Sequence, residues 1–172
     1  MDKRIFMAFY GYAARNKRFG GIMGFIYKCS TAAFFLIYYS GALYLIFTDT
    51  PALVSYVCVP ACVLAANWVI RRLVKRNRPF QVLPLVKPPE NKKTGKTGDS
   101  FPSNHSASAS IIAFSFLMIN TFLGTAAFFL AVLTGLSRIT SGAHYPSDVI
   151  AGFALSAAFA ILGYSFIPFI FA

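Results

Sequence analysis

Acidic residues are what this chain has least of. Asp2, Asp49, Glu90, Asp99 and Asp148 are the whole complement, against sixteen Lys and Arg, and the formal net charge is +11. Carboxylates so scattered do not meet to hold a pair of divalent ions, which excludes a two-metal phosphoryl-transfer centre. Cysteine is nearly as sparse, at positions 29, 58 and 62. Cys58 and Cys62 fall one turn apart on an expected helix, which is poor disulfide geometry, and no Cys/His cluster points to zinc. The three are read as small packing residues. Histidine occurs twice, at 105 and 144. Polar sequence is short too: beyond residue 30 the one substantial stretch is 81–100, where Pro84, Pro88 and Pro89 precede Glu90 and a run of Lys, Thr and Gly. This loop is expected to be mobile and solvent-facing. Its Gly95-Lys96-Thr97 is a fragment of a nucleotide-binding pattern, but that pattern requires a glycine where Glu90 stands and a strand before it, so nucleotide binding is excluded.

Most of what remains is apolar. Of 172 residues 57% are hydrophobic and 17% aromatic, and the mean hydropathy is +0.62, far above a soluble domain of this size. A bilayer is crossed by about 20 mainly apolar residues, and five stretches are candidates: 31–48, 51–70, 106–122, 124–138 and 148–170. The connections at Thr48–Pro51 and Asn120–Gly124 are short enough to make their neighbours antiparallel hairpins. In residues 1–30, Lys3, Arg4, Arg15, Lys17, Arg18 and Lys28 interrupt Ile5, Phe6, Phe9, Tyr10, Ile22, Phe25 and Ile26. That pattern predicts an amphipathic helix lying at the headgroups, broken near Gly20-Gly21. A signal peptide is not expected, because Arg15 to Arg18 fall where its apolar core belongs. The fold class is therefore all-α: a polytopic membrane helix bundle of about five transmembrane helices plus an N-terminal amphipathic interfacial helix, in a single domain over 1–172.

Three polar junctions interrupt the spans. The last runs Ser137-Arg138-Ile-Thr-Ser-Gly-Ala-His144-Tyr145-Pro146-Ser147-Asp148 and holds three chemical groups in one short loop. Arg138 offers a planar fork of donors to phosphoryl oxygens. His144 has a nitrogen that attacks or shuttles protons near neutral pH, and Asp148 can hold that imidazole in one tautomer. Pro146 suits the first turn of a helix, which is expected to start at about Tyr145; an anion beside it would meet free backbone N–H groups. The middle junction is Phe101-Pro102-Ser103-Asn104-His105, with Ser103 or Asn104 as N-cap of the following span. The first carries Arg71-Arg72, Lys75-Arg76 and Arg78-Pro79. Singly, each residue has an ordinary structural reading: a His near a helix end is commonly structural and an Asp in a first turn commonly a dipole partner. Their combination favours a phosphate site.

Together the junctions resemble the signature of the type 2 phosphatidic acid phosphatase superfamily, written KxxxxxxRP, PSGH and SRxxxxxHxxxD. Ser137, Arg138, His144 and Asp148 match the third motif in full. Pro102, Ser103 and His105 match the second, with Asn104 where the family has Gly; Asn accepts positive φ better than most residues. Arg78-Pro79 match the first, with Arg71 at the Lys position and Lys75 a rival for that role. The resemblance covers positions 71–148. It implies metal-free phosphoryl transfer with no cofactor, His144 as nucleophile, Asp148 accepting its other N–H, and His105 as general acid and then activator of water. It also implies a phosphate cradle of Arg71 or Lys75, Arg78, Ser103, Asn104 and Arg138.

All sixteen Lys and Arg fall on one side of the five-span arrangement: six before the first span, nine from Arg71 to Lys96, and Arg138. The positive-inside rule then places the polar junctions of a cell-membrane protein in the cytoplasm, although relatives in the resembled family also work from the outer face. The expected partners are a membrane lipid phosphate and the bilayer, not nucleic acid. The favoured substrate is a polyprenyl (di)phosphate, with phosphatidic acid or phosphatidylglycerol phosphate as alternatives. A reading of another class is a non-catalytic protein that binds anionic lipid through basic loops. It explains Lys92, Lys93 and Lys96 but not two histidines beside arginines at helix starts. A transporter with an anion site is poorly supported by spans almost free of charge.

Overall fold

The computed structural model describes residues 2–89 and 98–171. The Lys-rich centre of the 81–100 loop, with Lys92, Lys93 and Lys96, lies outside the described residues. Among the described residues seven helices follow in order: α1 (Asp2–Arg15), α2 (Lys17–Thr48), α3 (Thr50–Val74), the single turn α4 (Pro79–Val82), α5 (Asn104–Ile119), α6 (Thr121–Thr140) and α7 (Pro146–Phe171). α2, α3, α6 and α7 are each long and apolar enough to cross a membrane; α5, with 16 residues, is shorter, about 24 Å at 1.5 Å per residue. The protein is a multi-pass membrane helix bundle, and no β-strand is formed among the described residues.

The hairpin turns have local causes. Asp49 closes α2 and caps α3, accepting from Ala52 N–H at 3.1 Å with Pro51 in the first turn. Asn120 does the same between α5 and α6, accepting from Leu123 N–H at 2.9 Å. α5 is the hub. It packs on α6, α7, α3 and α2, and its Ala107, Ala109, Ile111, Ala113, Ser106, Ser110 and Ser115 are buried. Small residues let these backbones approach closely where lipid supplies no hydrophobic drive. At Gly152 on α7 an added Cβ would lie 2.8 Å from the Ser103 carbonyl oxygen. That near contact sets the start of α5 against the start of α7.

Residues 1–30 depart from expectation in one respect. The chain breaks at Asn16, not at Gly20-Gly21, because Asn16 adopts an extended conformation (φ −97°, ψ 95°) and accepts from Phe19 N–H at 3.1 Å. The helix that contains the first apolar stretch therefore starts at Lys17 and runs 32 residues, about 48 Å by helical rise, so that residues 17–30 continue into it. α1 is amphipathic as expected, with Phe6 wholly buried against Tyr145, Val86, Ile139 and Val149, while Lys3, Arg4, Ile5 and Phe9 stay exposed. The cysteines also differ from expectation. All three are free and exposed, not buried in the bundle.

Candidate active site

The site forms where the last turn of α3 meets the starts of α5 and α7. Arg71 lies in that last turn, and Arg78 precedes α4. Both donate to the Asp99 carbonyl, from Arg71 Nη2 at 2.5 Å and Arg78 Nη2 at 3.2 Å, and Arg71 Nη1 also reaches the Pro102 carbonyl at 3.2 Å. Two like charges on one carbonyl repel. Burial, and then the neighbouring Arg71, hold Arg78 below the usual arginine range. Arg78 keeps Nε and Nη1 buried with no hydrogen-bond partner among the described residues.

Arg138 enters from the last turn of α6. It is 3% exposed, donates from Nη2 to Ser30 Oγ at 2.9 Å, and lies 4.2 Å from the centroid of the Tyr27 ring, both on α2. Its Nε likewise has no partner among the described residues. Past Arg138 the helix ends at Thr140 and the chain turns at Gly142, whose φ of +80° would strain any side chain. The Arg138 carbonyl then accepts from both Ala143 N–H at 3.0 Å and His144 N–H at 3.2 Å. This fold-back seats His144 before Pro146, the first residue of α7.

His144 is 1% exposed, and its Nδ1 lies 2.8 Å from the Ser100 carbonyl oxygen. A carbonyl only accepts, so in the neutral ring Nδ1 carries the proton and Nε2 the lone pair. The expected acceptor, Asp148, is instead 3.7 Å from Nδ1, an electrostatic partner and not a hydrogen bond. Asp148 is already engaged by three other donors. Its Oδ2 accepts from Ser100 Oγ at 2.5 Å and Tyr145 N–H at 2.8 Å, and its Oδ1 from Arg76 Nη1 at 2.7 Å. Burial pushes His144 down to about 4, with Arg78 and Arg71 adding to the fall and Asp148 opposing it. The ring is neutral at pH 7.

Ser103 caps α5 by accepting from Ser106 N–H at 3.4 Å, while its own N–H donates to the Asp148 carbonyl at 2.9 Å. Asn104 is the first helical residue, and Lys75 is the one non-glycine with positive φ among the described residues. The Gly-to-Asn departure therefore needs no unusual backbone here. Asn104 Oδ1 instead accepts from Asn67 Nδ2 at 3.4 Å.

Asn104 and His105 line a cavity of about 380 Å³ that runs between α2, α3 and α5 over Phe34, Phe35, Leu64 and Ile112 and includes Ser30, the partner of Arg138. The structure thus brings together Arg71, Arg78, Arg138, Ser103, His144 and Asp148, with Asn104 and His105 on the adjoining cavity. Lys75 is not among them. It is exposed, left-handed at φ 47°, and closes α3 with its N–H on the Arg71 carbonyl, so Arg71 alone stands in the family's lysine position. Sequence reasoning missed Arg76, Ser100, Tyr27 and Ser30. Arg76 was visible as one more basic residue, and the carbonyl of Ser100 carries no sequence signal at all. Among the described residues no three His, Cys, Asp or Glu gather as a metal site.

Comparison with known proteins points the same way. The chain is 30% identical over 174 residues to undecaprenyl-diphosphatase BcrC of Bacillus subtilis, covering 98% of this chain and 84% of that protein. It is 41% identical over 64 residues to lipid A 1-phosphatase of Rhizobium johnstonii, a match spanning 37% of this chain and about a quarter (26%) of that protein. Its fold is that of the crystal structure of the first transmembrane PAP2 type phosphatidylglycerolphosphate phosphatase from Bacillus subtilis, with a TM-score of 0.68, 23% identity, and coverage of 98% of this chain and 87% of the other. The sequence profile of the PAP2 superfamily matches residues 51–171, which hold every residue of the cluster except Tyr27 and Ser30, and the chain belongs to that superfamily.

Proposed function

We propose that this protein is a metal-independent lipid phosphatase that removes the terminal phosphate of a polyprenyl (di)phosphate through a phosphohistidine at His144, with the whole chain acting as one domain. The observation that carries the reading is the set of three buried N–H groups on Arg78 and Arg138, unpartnered among the described residues, beside a neutral histidine whose Nε2 is unprotonated. Buried cationic donors left without an acceptor are costly, and a phosphoryl group supplies the missing oxygens bidentately. Nε2 attacks phosphorus as the bond to the leaving oxygen breaks, and His105 donates the proton that oxygen takes up. Water, deprotonated by His105, then displaces His144 and releases phosphate. Asp148 and the Ser100 carbonyl stabilise the charged ring in between, and the arginines hold the equatorial oxygens.

The apolar cavity beside His105 supports a lipid leaving group, its chain lying over Phe34 and Leu64. The prenyl class is preferred to phosphatidic acid or phosphatidylglycerol phosphate because the relative that aligns along nearly the whole chain bears the name of an undecaprenyl-diphosphatase. The test is phosphate release by detergent-solubilised protein in excess EDTA from prenyl diphosphate, prenyl monophosphate, phosphatidic acid and phosphatidylglycerol phosphate, with His144→Ala alongside. Turnover is expected to survive EDTA, to be fastest on the prenyl substrates and to vanish in the variant. Hydrolysis of none of the four would leave the basic junctions as a lipid-binding surface and end the catalytic reading.

A further inference from the structure

The N-terminal helix reaches the catalytic pair through one guanidinium. Arg76 Nη1 donates to Asp148 Oδ1 at 2.7 Å and to Ser147 Oγ at 2.6 Å, while Nη2 donates to Asp2 Oδ2 at 2.5 Å. The plane stacks on Tyr145, 4.2 Å from the ring centroid. Asp2 completes the arrangement from α1: its Oδ2 accepts from Ser147 Oγ at 2.6 Å and its Oδ1 from Ser147 N–H at 3.2 Å, so it also caps the first turn of α7. The backbone of Arg76 does a second task. Its carbonyl accepts from Ser100 N–H at 2.8 Å, and Ser100 supplies both the carbonyl that holds His144 Nδ1 and the hydroxyl that holds Asp148. Both groups that orient the imidazole are therefore fixed by one residue, which Asp2 in turn fixes.

We propose that Arg76 and Asp2 are positioning residues for His144, so that α1 is part of the active-site scaffold and not only a surface anchor. This rests on the phosphatase reading above. Arg76 alone would draw the Asp148 charge away from the histidine; Asp2 shares the guanidinium and leaves Asp148 free to stabilise the ring as it becomes cationic. A planar fork is required because the bonds diverge to three acceptors, a geometry lysine does not reproduce. Neither residue is among the groups assigned to phosphate, so their loss should act on the chemical step and not on substrate affinity.

The experiment is steady-state phosphate release from prenyl diphosphate by full-length protein, comparing Asp2→Asn, Asp2→Glu, Arg76→Gln, Arg76→Lys, the Asp2→Asn/Arg76→Gln pair, and Lys3→Gln as a control on the exposed side of α1. The single neutral variants are expected to lose at least tenfold in kcat with KM within about twofold. Asp2→Glu should recover most of the loss, Arg76→Lys should not, and the pair should be no worse than Arg76→Gln alone. Should Arg76→Gln fail to fold, Asp2→Asn and Asp2→Glu carry the test without it. Asp2→Asn at parental kcat, or losses that appear in KM, would overturn the inference while leaving the phosphatase reading intact. A parent that releases no phosphate would instead overturn that reading, and this one with it.

Discussion

His144 is where residue-scale physics is sharpest. A histidine buried beside two arginines is neutral far below its ordinary value of about 6.5, and its midpoint is expected near 4 when the ring nitrogens are followed by NMR, with His105→Gln used for assignment. Each charge has a defined sign: Arg71→Gln should raise that midpoint and Asp148→Asn should lower it further. Arg138→Lys keeps the charge and loses the fork, and kcat/KM in the phosphate-release assay is expected to fall on the order of 10²-fold, as when one transition-state donor is removed. Spacing made Arg78, Arg138, His144 and Asp148 legible in sequence, because motif residues sit at fixed offsets from the helix ends that present them. Arg76 was not legible. Its role depends on Asp2, seventy-four positions away, and on a backbone carbonyl at Ser100, and neither leaves a pattern in local sequence.

Among the elements, the spans were readable because apolar length is a direct consequence of bilayer thickness, whereas their ends were set by single capping side chains. Asn16 shows the difference: composition marked a break near two glycines, yet the residue that satisfies the first free N–H groups of α2 decides where the helix begins. The crossing of α5 and α7 was invisible in the sequence, since it depends on a missing Cβ at Gly152. Gly152→Ala is expected to push the Ser103 backbone off Asp148 and cut kcat/KM at least tenfold. Gly21→Ala, on α2 with open space around it, should leave activity unchanged and favour the helix by roughly 0.5–1 kcal/mol. Thermal unfolding in detergent beside the phosphate assay separates the two outcomes.

For the molecule as a whole, charge and chemistry share one face. α1, the start of α2, the ends of α3 and α6 and the segment after α3 carry the basic residues there, while the Asp49 and Asn120 turns at the other face carry none. By the positive-inside rule that basic face is proposed to be cytoplasmic. In a background with Cys29, Cys58 and Cys62 replaced, Lys87→Cys is expected to react with an impermeant maleimide only in inside-out vesicles and Thr121→Cys only in right-side-out ones; the reverse pattern would place the site outside. The cavity between α2, α3 and α5 has a consequence of a different kind. At about 380 Å³ it has room, on the proposed prenyl reading, for only the start of a long chain, which would leave the rest among the lipids. Encounter then happens in two dimensions, so the concentration that governs turnover is the mole fraction of substrate in the bilayer: diluting it with inert lipid at constant bulk amount should slow hydrolysis, and adding water should not.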